Sequence, residues 1–512
     1  MDPMKSLRRT SCRRAGDRPR SRRRTVLFHL AAAVIVLAPL VLIELALRAA
    51  VPAPVADLED PYVSFSGLRP LFVLDPTGTR YETAPQRLTA FRPQSFAAVK
   101  EPDGFRVFCL GGSTVQGRPY SVETSFTSWL ELNLRAAGPG RTWEVINCGG
   151  ISYASYRLVP LMRELLEYDP DLFILYTGHN EFLEDRSYGR IKRAPAPLVR
   201  VHRTMLRLRA YALANQWFAG RRGPRVQKTV LPAEVRTKLD YEEALESYRR
   251  DETWRRGIVE HFHRNVETMV RLAQAAGVPL ILVNPVCNLK DCPPFKSEFR
   301  ADLSEAELRQ VMDLRQRAEA TGWADVYARL GLLEQAVEID DRHAGLLYQV
   351  GKCYERLGRF PEAKQWLVRA REEDVCPLRI TTPMHQSLLR IAARYRVPLV
   401  DVRALIADRT EGGIPGREWL LDHVHPRIEG HQLIAEALYD AMDQMRLVHA
   451  APDRQARRDE LWQRQLASLD EAYYARGAAR LQRVREWSRG HIPRNNEARN
   501  DEESLTGECL RR

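Results

Sequence analysis

The 512-residue sequence predicts an α/β fold, a parallel sheet covered by helices on both faces, with a helical insertion and an N-terminal transmembrane helix. Three observations lead to this prediction. Short apolar runs alternate with helical segments from residue 105 onward, which is typical of β-α-β units. Residues 304–376 show only helical periodicity. Residues 25–43 contain no Asp, Glu, Lys or Arg, and they follow a strongly basic leader.

The N-terminal leader carries much of the positive charge of the chain. Residues 1–24 hold ten Lys/Arg and two Asp, so +8 of the formal net charge of +12 lies there. A basic leader before about 20 apolar residues predicts a membrane-spanning helix over residues 25–47, with residues 1–24 in the cytoplasm. A cleaved signal peptide is the alternative, although the apolar stretch is longer than a usual signal-peptide core. We therefore expect an inner-membrane protein whose remaining domains lie outside the cytoplasm, without a nucleic-acid partner.

The α/β domain follows a Pro-rich segment, residues 48–104, which we interpret as a linker. The domain is predicted in two parts, 105–303 and 377–446, and a charged helical tail with a disordered end is predicted over 447–512. Strands are expected at 106–110, 143–147, 172–177, 278–284 and 397–402, and helices at 125–137, 156–168, 241–276, 384–395 and 428–445.

Two segments interrupt the α/β pattern. Residues 186–228 hold twelve Lys/Arg and no acid. They fit either a solvated insertion or a cover over the site that touches a membrane surface or an anionic substrate. Residues 304–376 resemble a tetratricopeptide array, because residues 344–377 match one 34-residue repeat and Ala336 precedes Ala370 by one period. One repeat and a fraction is too short for an independent solenoid, so this insertion should pack on the α/β domain. A protein partner at the repeat is a secondary expectation.

Polar residues follow the predicted strand ends, which meet at one edge of a parallel sheet. Ser113 follows the first strand and Asn180 the third, while Asp422 and His425 precede the last helix. A serine hydroxyl needs a base, which His425 can supply, and Asp422 can hold the other imidazole nitrogen. The backbone N–H of Ser113, a backbone N–H in the loop Gly149–Ser152 and the side-chain amide of Asn180 are candidate oxyanion donors. The structural alternative is that Asn180 caps a turn and Asp422 caps the last helix.

The blocks GGST, NCGG, GHNE and DHVHP resemble, in this order, the conserved blocks of the SGNH (GDSL-like) hydrolase superfamily over most of residues 105–445. The whole layout resembles a membrane-anchored bacterial branch with a tetratricopeptide insertion. The resemblance implies a flavodoxin-like three-layer α/β/α fold with a five-stranded parallel sheet. It further implies Ser113 as nucleophile, His425 as base, Asp422 as its partner and Asn180 in the oxyanion hole, with no metal or organic cofactor.

The sequence departs from the family pattern in two places. The nucleophile block reads GGST instead of GDS, and Ser152 stands where the family usually has an oxyanion-hole glycine. A backbone N–H survives any such substitution.

We therefore expect a membrane-anchored extracytoplasmic serine esterase acting on an O-acetyl or short acyl ester of an envelope glycan or lipid. An acyltransferase would use the same residues. The alternative is a non-catalytic scaffold that works through the repeat.

Overall fold

The computed structural model describes residues 60–138, 140–186, 228–241, 244–449 and 451–490, with a few residues between 35 and 47 and between 205 and 211. The chain divides into two units. The first consists of Met1–Glu59 and Ile191–Gln227, and the second of Asp60–Arg190 and Lys228–Arg512. The second unit includes nearly all of the described residues. No helix within the described residues is long and apolar enough to cross a membrane. Several predicted segments lie outside the described residues. They are the leader at 1–24 that we predict to be cytoplasmic, most of the predicted transmembrane helix at 25–47, most of the basic insertion at 186–228 and the predicted disordered end after 490.

A five-stranded parallel sheet forms the centre of the second unit. Its strands are β1 (Phe105–Gly111), β2 (Trp143–Gly149), β3 (Leu172–Tyr176), β4 (Leu280–Asn284) and β5 (Leu399–Asp401). Their spatial order is β2-β1-β3-β4-β5, and every neighbouring pair is parallel. This is the flavodoxin-like order. The five predicted strands are confirmed, with ends that differ by one or two residues.

Helices cover both faces of this sheet, as predicted. Those before the insertion are α1 (Ser113–Gln116), α2 (Phe126–Ala137), α3 (Ser155–Leu165) and α4 (Glu252–Ala275). The insertion contributes α5 (Glu305–Thr321), α6 (Val326–Ile339), α7 (Ala344–Arg356) and α8 (Phe360–Glu372), and the domain then resumes with α9 (Thr382–Tyr395), α10 (Val402–Ala407) and α11 (Ile428–Gln444). Val107 and Cys109 of β1 share one core with α2, α10 and α11. The alternate residue Phe108 points to the opposite face, where α3, α4 and α9 lie and where it meets Phe72 and Phe96.

The segment predicted as a linker is more structured than expected. Within the described part, Val63–Ser66 pairs in parallel with Thr229–Pro232, and three strands, Phe72–Leu74, Arg80–Thr83 and Ser95–Ala97, form an antiparallel sheet. These strands have only three or four residues each, so the alternation of apolar and polar residues along them is too short to be recognised in the sequence. Their stability comes from packing against β1, which lies later in the chain, so residues 60–104 belong to the domain instead of linking to it.

The long helix predicted over 241–276 begins later. A short 3-10 turn occupies Ala244–Ser247, and α4 starts at Glu252. The Asp251 side chain accepts the N–H groups of Thr253 and Trp254, both at 2.8 Å, which caps the helix there.

The insertion contains two complete helical pairs. The sequence predicts one pair and the last helix of a preceding repeat, so the structure has one helix more than predicted. Helix α5 packs against α6, and α7 packs against α8. The insertion packs on the α/β domain as predicted, because Leu347 shares a hydrophobic core with Leu289 and Val424 of that domain.

The charged tail forms two helices, α12 (Arg454–Ala467) and α13 (Glu471–Ser488), and both contact the domain. Trp462 of α12 lies edge-on to Trp129 of α2, with ring centroids 5.5 Å apart. The Tyr473 hydroxyl of α13 accepts the N–H of Ser121 at 3.2 Å and lies 2.7 Å from Thr124 Oγ1. The tail therefore returns to the loop between α1 and α2.

Candidate active site

The turn that carries Ser113 joins β1 to α1 at the carboxyl end of the sheet. Ser113 is the first residue of α1, so its N–H has no acceptor within the helix. Asn147, at the end of β2, holds the turn from the side. Its Nδ2 donates to Val115 O at 2.7 Å and to Thr127 Oγ1 at 2.9 Å. The neighbouring strand thus supports the helical turn that begins at Ser113.

Three predicted residues meet in one hydrogen-bonded series. Ser113 Oγ lies 2.8 Å from His425 Nε2, and His425 Nδ1 lies 2.6 Å from Asp422 Oδ2. The other oxygen, Asp422 Oδ1, accepts the backbone N–H groups of Val424 and His425, both at 2.9 Å. The Asp422 and His425 side chains are 4% and 5% exposed. The spacing Asp-x-x-His lets the carboxylate turn back onto the ring, as the sequence predicts.

The electrostatics of the pair orient the imidazole. Burial opposes ionisation of Asp422, but the adjacent rings of His425 and His423 and its hydrogen bonds outweigh burial and hold its pKa below the usual value. An ionised carboxylate at 2.6 Å favours the proton on Nδ1. The lone pair of Nε2 then faces the Ser113 hydroxyl, which is the arrangement a general base requires.

Three other histidines are buried near this pair. Burial and the nearby rings lower the pKa of His179 and His431 to about 3, and that of His423 to about 4 despite Asp422. His431 Nδ1 accepts the N–H of Phe126 at 3.2 Å, and His423 Nδ1 stays 3.6 Å from Asp422. They are neutral at pH 7, and His425 is the histidine in contact with the serine.

Candidate oxyanion donors lie around Ser113. Asn180 Nδ2 donates to Tyr153 O at 3.0 Å, and a Cβ added to Gly112 would come within 2.5 Å of this same nitrogen. Gly112 thus allows the amide to approach the turn that carries Ser113. Ser152 has φ +60°, the left-handed conformation that glycine adopts most easily. Its N–H donates no hydrogen bond to any described residue, which leaves it available.

Asn288 positions the Asp-x-x-His segment from the loop after β4. Its backbone N–H donates to His423 O at 3.0 Å, and its Nδ2 donates to Asp422 O at 3.1 Å. The sequence predicts this loop at the sheet edge but does not single out Asn288, because an asparagine in an irregular loop carries no local signal of such a contact.

The predicted site residues open onto a cavity of about 570 Å³. Ser113, Ser152, Asn180 and His425 all line it, whereas Asp422 lies behind His425. Other segments contribute walls that the sequence did not predict, among them residues 89–92, residues 234–240 and the tail helix α13. A volume of this size suits a small organic ligand.

No protein-family model matches the chain, and no curated protein sequence matches it. Among solved structures, the chain is similar to the acetylxylan esterase Axe2 from Geobacillus stearothermophilus, with 11% identity, 67% of this chain and 96% of that chain covered, and a TM-score of 0.29. It is also similar to a candidate lipolytic protein of the G-D-S-L family from Desulfitobacterium hafniense, with 12% identity, 66% of this chain and 98% of that chain covered, and a TM-score of 0.29. A third similar structure is the lipase/acylhydrolase from Enterococcus faecalis, with 14% identity, 68% of this chain and 98% of that chain covered, and a TM-score of 0.30. Because the overall similarity is low, the functional proposal rests on the geometry of the site.

Proposed function

We propose that this chain is a serine ester hydrolase of the SGNH type. The observation that carries the proposal is the hydrogen-bonded series from Ser113 through His425 to Asp422 at the wall of an open cavity. A structural cap at Asp422 would need neither a histidine aimed at a serine nor a cavity beside that serine.

The geometry supports a two-step reaction. Ser113 Oγ attacks the ester carbonyl while His425 Nε2 takes its proton, and Asp422 stabilises the imidazolium. The N–H groups of Ser113 and Ser152 and the Asn180 amide would receive the developing oxyanion, each such donor being worth about 10²–10³ in rate. His425 then returns the proton to the leaving alcohol. Water activated by the same nitrogen releases the acyl group and restores the serine.

The cellular setting is part of the proposal. The basic leader and the apolar residues 25–47 support a single-pass anchor in the cytoplasmic membrane, with the catalytic domain outside the cytoplasm. An anchored site favours an ester on an envelope glycan or lipid, and the cavity volume is compatible with an O-acetyl or short acyl group on a sugar.

Two other functions are distinguished by experiment. Acyl transfer to a sugar hydroxyl would use the same three residues and would appear as acyl-enzyme formation without hydrolysis until an acceptor is added. A non-catalytic scaffold acting through the tetratricopeptide-like insertion has no need of the aligned serine and histidine. It would show neither acyl-enzyme formation nor hydrolysis.

The test is hydrolysis of p-nitrophenyl esters from acetate to octanoate by the full-length chain in detergent. Ser113→Ala and His425→Ala should each reduce kcat by at least about 10³-fold. Ser468→Ala and His449→Ala, which change the same residue types at exposed positions in the tail and after α11, should not. Absence of hydrolysis by the folded protein, together with no acyl-enzyme, would contradict the proposal.

A further inference from the structure

The cavity beside Ser113 carries an unusual concentration of arginine. Among the described residues, five arginines line it, against the two acids Glu234 and Asp240, so these seven side chains carry a formal charge of +3. Asp240 is already engaged, because its Oδ1 accepts Trp487 Nε1 at 2.9 Å and its Oδ2 accepts Thr237 N at 2.7 Å.

Three of these arginines come from the tail helix α13. Arg476, Arg480 and Arg483 are four and three residues apart, so they lie on one face of the helix, and that face forms a wall of the cavity. Arg480 anchors the helix, since its Nη1 donates to Tyr120 O at 2.9 Å. Arg476 is exposed and Arg483 is half-buried.

The other two arginines come from the α/β domain. Arg118 lies five residues after Ser113, and its Nε donates to Gln116 Oε1 at 3.2 Å. Arg92 comes from the segment between the second and third strands of the small antiparallel sheet. Separate parts of the chain therefore direct guanidinium groups toward the same space as the nucleophile.

These charges repel one another. The pKa of Arg480 is lowered to about 10. Burial is the largest cause, and the positive charges of Arg92, Arg476 and Arg483 add to it, whereas Tyr473 has the opposite effect. Arg480 is still protonated at pH 7, so the positive charges coexist at a cost in stability. Such a cost is expected at a ligand site, where stability is exchanged for binding.

We propose that the cavity binds an ester whose non-reacting part carries a carboxylate or a phosphate, held by the arginine face of α13. This deepens the proposed function, on which it rests, by naming the chemical class of the substrate. Guanidinium groups bind carboxylates and phosphates through paired N–H donors, and a bound anion would relieve the mutual repulsion of the arginines. The tail helix would then act as a specificity element that the α/β domain by itself lacks.

The test compares esters that differ in charge but not in the reacting group. Mono-4-nitrophenyl adipate and 4-nitrophenyl hexanoate place the charge on the acyl side, and 4-acetoxybenzoate and its methyl ester place it on the alcohol side. The quantity measured is the ratio of kcat/KM for the anionic ester to that for its neutral partner. We expect the ratio of at least one pair to fall tenfold or more in Arg476→Gln/Arg483→Gln.

Control variants separate this effect from a change in net charge. Arg489→Gln removes a charge at the exposed end of the same helix, outside the cavity wall, and should leave the ratio unchanged. Arg483→Lys should restore part of the ratio relative to Arg483→Gln. Ratios in the double variant that equal those of the wild type for both pairs would overturn the inference.

A binding measurement keeps this test independent of the proposed catalysis. Ser113→Ala retains all five arginines but lacks the nucleophile. Calorimetry should show that this variant binds the anionic ester of at least one pair at least tenfold more tightly than its neutral partner, and that the preference disappears when Arg476→Gln/Arg483→Gln is added. Equal affinities within both pairs would overturn the inference even if the wild type hydrolyses all four esters. A preference for the anionic ester without hydrolysis by the wild type would support the anion site and contradict the esterase.

Discussion

Replacing Asp422 with asparagine should remove catalysis while keeping the fold. The asparagine Oδ1 can still accept the N–H groups of Val424 and His425, each 2.9 Å from Asp422 Oδ1. Its Nδ2, however, would face His425 Nδ1 across the present 2.6 Å contact. Two donors cannot share that contact, so Nδ1 must become an acceptor and the ring proton moves to Nε2. His425 would then donate to Ser113 and could not accept its proton.

The size of the effect follows from this loss of the general base. A triad held in the wrong tautomer loses about 10³–10⁴ in kcat, equivalent to about 4–5 kcal/mol of transition-state stabilisation. Asp422→Ala loses the two backbone hydrogen bonds as well, at about 1 kcal/mol each, so its free energy of unfolding should fall by about 2 kcal/mol.

The assay is kcat on a p-nitrophenyl ester together with urea unfolding of the wild type and both variants. We expect Asp422→Asn to be close to the wild type in stability and nearly inactive, and Asp422→Ala to be nearly inactive and less stable. An Asp422→Asn variant that keeps more than a tenth of the wild-type kcat would refute the assigned role of the carboxylate.

Three further predictions address the surroundings of the triad. Gly112→Ala should displace the Asn180 amide, which a Cβ would approach to 2.5 Å, and lower kcat about 100-fold; an unchanged kcat would contradict the assigned role of that amide. Asn288→Ala removes the 3.1 Å hydrogen bond to Asp422 O and should lower kcat about tenfold, measured beside an unfolding curve to show that the fold persists. The buried histidines His179, His423 and His431 have a lowered pKa, so below about pH 6.5 the unfolded chain binds protons that the folded chain does not. The free energy of unfolding should therefore fall between about pH 6.5 and 4, by up to about 4 kcal/mol per pH unit. Urea midpoints that stay level from about pH 7 to 5 would contradict those pKa values.

The sheet and the placement of Ser113, Asp422 and His425 at its edge could be predicted because their signals are local. Each central strand is a short, largely apolar run that ends in glycine or a polar residue, and carboxyl ends of parallel strands meet at one edge. Ser113 and Asn180 lie within four residues of such ends. Asp422 and His425 lie within three residues of each other, so their mutual contact needs no knowledge of the rest of the fold.

The walls of the cavity could not be predicted, because their contacts join distant parts of the chain. Arg480 of α13 reaches Tyr120 across 360 residues, and nothing in the periodicity of a charged helix shows which face is covered. Residues 60–104 likewise gain their order from packing on β1. The side chains that line the cavity are therefore less visible in the sequence than Ser113, Asp422 and His425.

The most direct test of the central claim is covalent labelling of the full-length protein with a fluorophosphonate, followed by peptide mass spectrometry. A serine activated by His425 should take up one equivalent of reagent on the peptide that contains Ser113, and His425→Ala should slow this labelling at least about 100-fold. Labelling of a different residue, or labelling of Ser113 at the same rate in His425→Ala, would contradict the claim that these two side chains form a catalytic pair.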